Sequence, residues 1–332
     1  MSAMKQRFGS GIIGVLLLVC AQGVSAQDAA KAAPAPPASA QKTFDSPKAA
    51  ADALIAAAAS DDIAALKEIL GPDGKSLVET SDVVQTKNQL ESFAAQAQKD
   101  TAVVLDPKNP NRATLSVGDD DWPMPIPIVK KNGRWLFDSK AGKRELLYRR
   151  IGRNELDAID GCYEYVEAQR EYALEKHDGA LLNQYAQKII STPGKRDGLA
   201  WRNPDGSLTG PISDTVADAI AEGYSKKSEP LHGYYFKVLK GQGPAAPLGK
   251  MDFVVQGAMI GGFALAAAPS DYRVTGVMTF IVSHDGVVYQ KDLGPNTLEL
   301  FQKMERYNPD KTWARVADSD SSEAPAKAGS QP

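Results

Sequence analysis

A chain of 332 residues with 43% hydrophobic and 24% charged residues has a globular composition, which excludes collagen-like, wholly disordered and multi-span membrane classes and leaves room for two domains of about 150 residues. Its 38 Lys and Arg against 41 Asp and Glu, a net charge of −3, leave no basic surplus to neutralise a phosphate backbone, so no nucleic acid is expected as a partner. Two cysteines and three histidines are too few for a Cys/His metal framework, and the spacing of Cys20 and Cys162 matches no zinc motif.

The N-terminus reads as an export signal. Lys5 and Arg7 precede an apolar stretch from Ile12 to Val19, and Val24-Ser25-Ala26 supplies a small-residue cleavage site, so residues 1–26 are expected to be a Sec-type signal peptide. Gly11 to Cys20 is about half of the roughly 20 apolar residues that a membrane anchor needs. A lipoprotein reading also exists, because Leu17-Leu18-Val19-Cys20 loosely resembles a lipobox, although Val19 is bulkier than the small residue such a motif wants before its cysteine. The expected location is periplasmic or secreted, with no transmembrane segment after signal cleavage. Cleavage removes Cys20 and leaves Cys162 alone, so no intramolecular disulfide can form.

Residues 27–43 are Ala/Pro-rich and read as a semi-stiff tether. An N-terminal α+β domain is expected over residues 44–140. Ser46-Pro47 caps a helix to Ala59, a second runs from Ile63 to Leu70, and Gly71-Pro72-Asp73-Gly74 makes a turn. Leu77-Val78 reads as a brief strand, and Ser81 as the cap of a third helix whose Leu90, Phe93, Ala94 and Ala97 share a face. The period then changes to two. Thr101–Leu105 and Arg112–Val117 flank a loop over residues 106–110, while Ile126–Lys130 and Arg134–Phe137 flank Asn132-Gly133, a strong hairpin signal. Helices followed by an antiparallel meander are analogous to the helix-on-sheet layout of NTF2-like domains, an analogy of element order alone.

Residues 141–197 are expected to form a helical connector, with helices over Ala141–Ile151, Asn154–Asp178 and Leu181–Ile190. Arginines and tyrosines interleave here, but the acids among them, Glu155, Asp157 and Glu164 included, cancel the field. Leu156, Ile159, Cys162, Tyr163 and Val166 recur at helical steps, which places Cys162 on an apolar stripe. A C-terminal α+β domain is expected over residues 198–316, a Gly-rich antiparallel sheet with flanking helices. It has a turn at Asn203-Pro204-Asp205-Gly206, a helix over Asp214–Tyr224, strands over Gly233–Leu239, Gly262–Ala267, Val277–Val282 and Val287–Lys291, and a helix over Thr297–Arg306. The apolar run Val254–Ala268 reads as core strand. Residues 317–332 have the composition of a disordered tail.

Several blocks of the chain resemble one family. Leu231-His232-Gly233-Tyr234-Tyr235-Phe236, Gly262-Phe263-Ala264-Leu265-Ala266, Gly276-Val277-Met278-Thr279-Phe280, Asp292-Leu293-Gly294, Tyr307-Asn308-Pro309-Asp310 and Gly133-Arg134-Trp135-Leu136-Phe137-Asp138 are together similar to the domain of unknown function 2950 family of exported bacterial proteins. The resemblance covers nearly all of residues 44–316. It implies export and a shared fold, and carries over no reaction, ligand or catalytic set.

Chemistry has few candidates. His232 before a strand, and His284 beside Asp285 in a hairpin turn, would make a catalytic or metal-binding group only if the fold brought them together; turn histidines otherwise serve the turn alone. Asp119, Asp120 and Asp121 offer hard oxygen ligands for a metal but lack the alternating spacing of a calcium loop, and a solvated acidic loop explains them as well. No Gly-x-Ser-x-Gly and no complete phosphate loop occurs, and no cofactor is implied. Of adjacent Tyr234 and Tyr235, one must face away from the core, and its exposure would mark a partner surface. The reading is therefore an exported cell-envelope protein, non-catalytic, whose partner is an envelope protein or a small ligand. The alternative is a periplasmic hydrolase acting on envelope material through a His/Asp site. A pilin-like subunit fits poorly, since the apolar N-terminal segment ends at Cys20.

Overall fold

The computed structural model describes residues 41–79, 83–213, 217 and 232–317. The expected signal peptide, most of the expected tether, Ser81, nearly all of the helix expected over 214–224, Leu231 and the tail beyond Ala317 lie outside the described residues.

The first half is built on four helices. In α1 (Pro47–Ala59) the Ser46 hydroxyl accepts the Ala49 N–H, and Ala50, Ala51, Leu54, Ala57 and Ala58 are buried. Asp62 caps α2 (Ile63–Leu70) in the same way through the Ala65 N–H. After a 3₁₀ turn over Pro72–Gly74 the chain enters α3 (Lys75–Val78). The brief strand expected at Leu77-Val78 is thus helical: the turn hands the backbone on in helical geometry, and Val78 reaches the core without a strand partner. Helix α4 (Val83–Lys99) buries Ala94 and Ala97, with Leu90 and Phe93 packed beside them.

The first sheet comprises β1 (Thr101–Asp106), β2 (Asn109–Val117), β3 (Trp122–Pro123), β4 (Ile128–Lys131) and β5 (Arg134–Phe137), in the order β1-β2-β4-β5 with β3 also on β2. The loop expected over 106–110 contracts to a turn at Pro107-Lys108, because pairing runs on to Asp106 and Asn109 across a register shift after Leu105. Asn132 and Gly133, at φ 51° and 80°, make the tight turn between β4 and β5. Leu54, Leu66, Ile69, Leu115, Ile128 and Phe137 fill the core between helices and sheet.

A single helix, α5 (Ser139–Tyr172), replaces the two expected on either side of Gly152. One glycine costs a helix about 1 kcal/mol, and burial of Ile151 and Ala158 to either side outweighs it. The helix serves both halves: Ser139 donates to the Leu70 carbonyl at 2.7 Å, while Cys162, Tyr165, Val166 and Tyr172 enter a second core. Leu181–Ile190 is not helical. The side chain of Gln169, fully buried, accepts the Ala186 N–H at 2.9 Å and donates to the Ala186 carbonyl at 2.8 Å, which holds this stretch extended into β6 (Lys188–Ile190). Strand β6 pairs in parallel with β7 (Gly198–Arg202), and β7 turns at Asn203–Gly206 into β8 (Leu208–Thr209).

The second large sheet contains β9 (Tyr234–Leu239), then, after two short ladders, β14 (Ala264–Pro269), β15 (Met278–Ser283) and β16 (Tyr289–Asp292), and finally β17 (Ala314–Arg315) beyond α6 (Thr297–Lys303). Its order is β17-β16-β15-β14-β9, antiparallel throughout. The short ladders are β10 (Gly241–Gln242) with β11 (Met251–Asp252), and β12 (Val254–Val255) with β13 (Ala258–Met259). The run Val254–Ala268 is therefore divided, with Gln256 and Gly257 at positive φ in a turn before β14 begins. Register assigns the two faces. Phe236, Ala267 and Phe280 are cross-strand neighbours, and Phe236 reaches Gly161 of α5. Lys237, on the opposite face, donates to the Gln302 carbonyl of α6 at 2.8 Å. The sheet is thus covered on both sides by helix, and the chain is α+β.

Candidate functional site

A concave feature in the first half faces solvent. Asn88, Gln89, Ser92, Phe93 and Gln96 recur on one side of α4, and Val117, Gly118, Asp120 and Trp122 of the β2–β3 turn stand opposite, enclosing about 640 Å³. This volume falls within the about 300–1,000 Å³ of small-molecule sites. Gly118 is at φ 81°, and a Cβ on it would lie 2.5 Å from Gln96 Oε1. Only glycine both makes this turn and lets the Gln96 amide lie across it. Trp122 keeps 48% exposure, and the Arg149 guanidinium sits 5.3 Å from its ring centroid. That arginine is itself fixed, by Glu145 at 2.9 Å and by the Pro123 carbonyl at 2.9 Å. The side chains of Asn88, Gln89, Ser92 and Gln96 form no hydrogen bond with another described residue, so their donors and acceptors are open to a ligand.

The acidic triplet lies at the rim of this cleft and divides. Asp119 pairs with Lys99 at 3.4 Å, Asp120 lines the cleft, and Asp121 takes a left-handed φ of 49° in the turn. Among the described residues no group of three His, Cys, Asp or Glu side chains is placed to hold a metal ion.

The histidines have separate surroundings. His232, half exposed at φ 44°, places Nδ1 at 2.5 Å from Asp157 Oδ2 on α5. Asp157 counted in the sequence only as a charge cancelling its basic neighbours; its spacing of three from Asn154, which donates to the Thr275 carbonyl at 2.8 Å, is the signal that this side of α5 meets the loops of the second sheet. His284 stands edge-on to Phe253 and Phe263, with ring centroids 5.8 and 6.2 Å away. Its Nδ1 is buried and has no partner among the described residues. Asp285 accepts from Ser283 Oγ at 2.9 Å and from the Val287 N–H at 3.1 Å, closing its own turn. The fold therefore gives His232 a carboxylate other than Asp285 and assembles no His232–His284–Asp285 group.

The chain matches, over residues 41–316, the model of a family described as a protein of unknown function, DUF2950. It belongs to that family. No curated protein and no solved structure matches it, so the analogy to NTF2-like domains gains no support beyond element order. In this DUF2950 member the matched stretch runs through both cores and includes the cleft, all three acids at its rim, and His232 and His284.

The buried thiol and two buried phenols are closed off. Burial pushes the Cys162 thiol up to about 12, which keeps it protonated and unreactive. Burial likewise raises the Tyr234 and Tyr165 hydroxyls, Gln169 opposing the second effect. Tyr234 is buried and donates to the Met278 carbonyl at 2.8 Å, while Tyr235 is half-buried.

Proposed function

We propose that this protein is an exported cell-envelope protein that binds a small ligand and does not transform it. The observation that carries the reading is the cleft between α4 and the β2–β3 turn: an aromatic wall and unengaged amides converge there, whereas the titratable candidates disperse to unrelated contacts. Export is supported by the charged, apolar and small-residue order of residues 1–26. Two measurements test it. Fractionation of cells expressing the full chain should yield an extracytoplasmic product beginning at Gln27, and a cytoplasmic product of full length overturns export. Native mass spectrometry of that product, after equilibration with envelope extract, should detect a bound small molecule whose occupancy falls in Trp122→Ala; an unliganded spectrum overturns the binding reading.

The hydrolase reading keeps one favourable observation, the His232–Asp157 contact, in which a carboxylate orients the ring at Nδ1. Among the described contacts no serine, threonine or cysteine joins that pair. Loss of a cellular phenotype in His232→Ala, with its fold intact, would favour hydrolysis over binding.

A further inference from the structure

The lining of the cleft specifies its occupant. We infer that it takes a neutral carbohydrate, a glycan segment laid against Trp122 with its hydroxyls met by the α4 amides; this rests on the reading of the cleft as a ligand site. A sugar hydroxyl both donates and accepts, and among side chains the carboxamides of Asn and Gln present both roles at fixed geometry. Asn88, Gln89 and Gln96 bring three such groups to one wall, Ser92 adds a hydroxyl, and Asp120 adds an acceptor. The same side chains have no hydrogen-bond partner among the described residues, so binding would not first have to break protein contacts. Opposite them, Trp122 contributes a large flat apolar face of the kind that packs against the C–H face of a pyranose ring. Arg149 holds the indole from one side and is anchored by Glu145 and Pro123, which fixes the ring before any ligand arrives and lowers the ordering cost of binding.

Other ligand classes meet this lining badly. Among the described residues no Lys, Arg or His lines the cleft and one carboxylate, Asp120, does, so phosphates and carboxylates are disfavoured by charge. An acyl chain would cover three amides without satisfying them. A protein strand needs a free strand edge of some length beside the groove, whereas β2 here is paired by β1, β3 and β4, and β3 is two residues long with its Pro123 carbonyl taken by Arg149.

The test titrates the mature protein with the β-linked tetramer of N-acetylglucosamine and with tetramers of glucose and of mannose, by isothermal titration calorimetry, alongside the neutral dye Nile red. Saturable binding of at least one tetramer is expected, weakened about tenfold or more in both Trp122→Ala and Gln96→Ala, and unchanged in His232→Ala. Trp122→Phe should retain most of the affinity, which separates loss of the aromatic face from loss of fold. If Nile red binds in a Trp122-dependent manner and no tetramer does, the glycan assignment is overturned and the cleft remains a ligand site. If neither binds, both readings fall. Tetramer binding that survives both alanine variants overturns the site.

Discussion

Strands β1 and β14 are both six residues long and antiparallel, and their surroundings are opposite. Every residue of β14 is buried, on both faces, between α5 and α6, whereas β1 is a sheet edge with no fully buried residue and with Val104 and Leu105 in solvent. The second half of the chain commits its apolar side chains to a closed core, and the first half leaves a cleft and an open edge beside a smaller one. Stability should therefore be concentrated around β14, and recognition around α4 and the β2–β3 turn.

The largest effect should come from the closed core. Phe280→Ala removes a ring that is 1% exposed and lies beside Tyr234, at an expected loss of about 3–5 kcal/mol in urea unfolding. Val104→Ser, at the exposed edge strand, should stay within about 0.5 kcal/mol. Comparable losses at the two sites would break the comparison.

Gln169→Leu comes next. It leaves the Ala186 N–H and C=O, both bonded to Gln169 in the folded chain, buried without partners, at a total of about 2–3 kcal/mol. Hydrogen exchange should locate the loosening at residues 184–190, and unchanged protection there would contradict the role given to this side chain.

A smaller, pH-dependent effect is expected near β6. Burial raises the Asp197 carboxyl, but bonds from Lys188 and from the Thr192 N–H and hydroxyl outweigh it and bring it from 3.8 down to about 2. A carboxyl lowered on folding stabilises the charged native form, fully so above its ordinary value. Stability should therefore drop as pH falls from 3.8 toward about 2, and Asp197→Asn should flatten that part of the profile.

Trp122→Ala should cost only about 0.5–1 kcal/mol of stability, from losing the Arg149 contact, while weakening ligand capture about tenfold or more. Cys162 sharpens the same contrast from the closed side: thiol reagents should label it only in denaturant, because its side chain is fully buried.

Much of the fold was legible where local chemistry decides. The Ser46 and Asp62 caps, the Asn132-Gly133 turn and the strands at 234–239, 264–269 and 278–283 follow from residues within a few positions of one another. Leu181–Ile190 misled because its apolar spacing fits a helix while its backbone is held by Gln169, far away in sequence. Gly152 misled in the opposite direction, since docking of α5 on two cores overrides a local weakness. The candidate site was less legible. Asp120 was visible as an acid, and Phe93 as an apolar residue of the third helix. Asn88, Gln89 and Gln96 carry no motif, and their role depends on what stands across from them.

The amino-acid order by itself determined the α+β class, the family and the burial of Cys162 on a helical stripe, because each rests on composition, a short motif or a local period. Only the tertiary structure decided that His232 meets Asp157, that His284 and Asp285 face different neighbours, and that the α4 amides face Trp122. These are meetings between residues remote in sequence, and packing of helices against sheets, which no local pattern encodes, sets them.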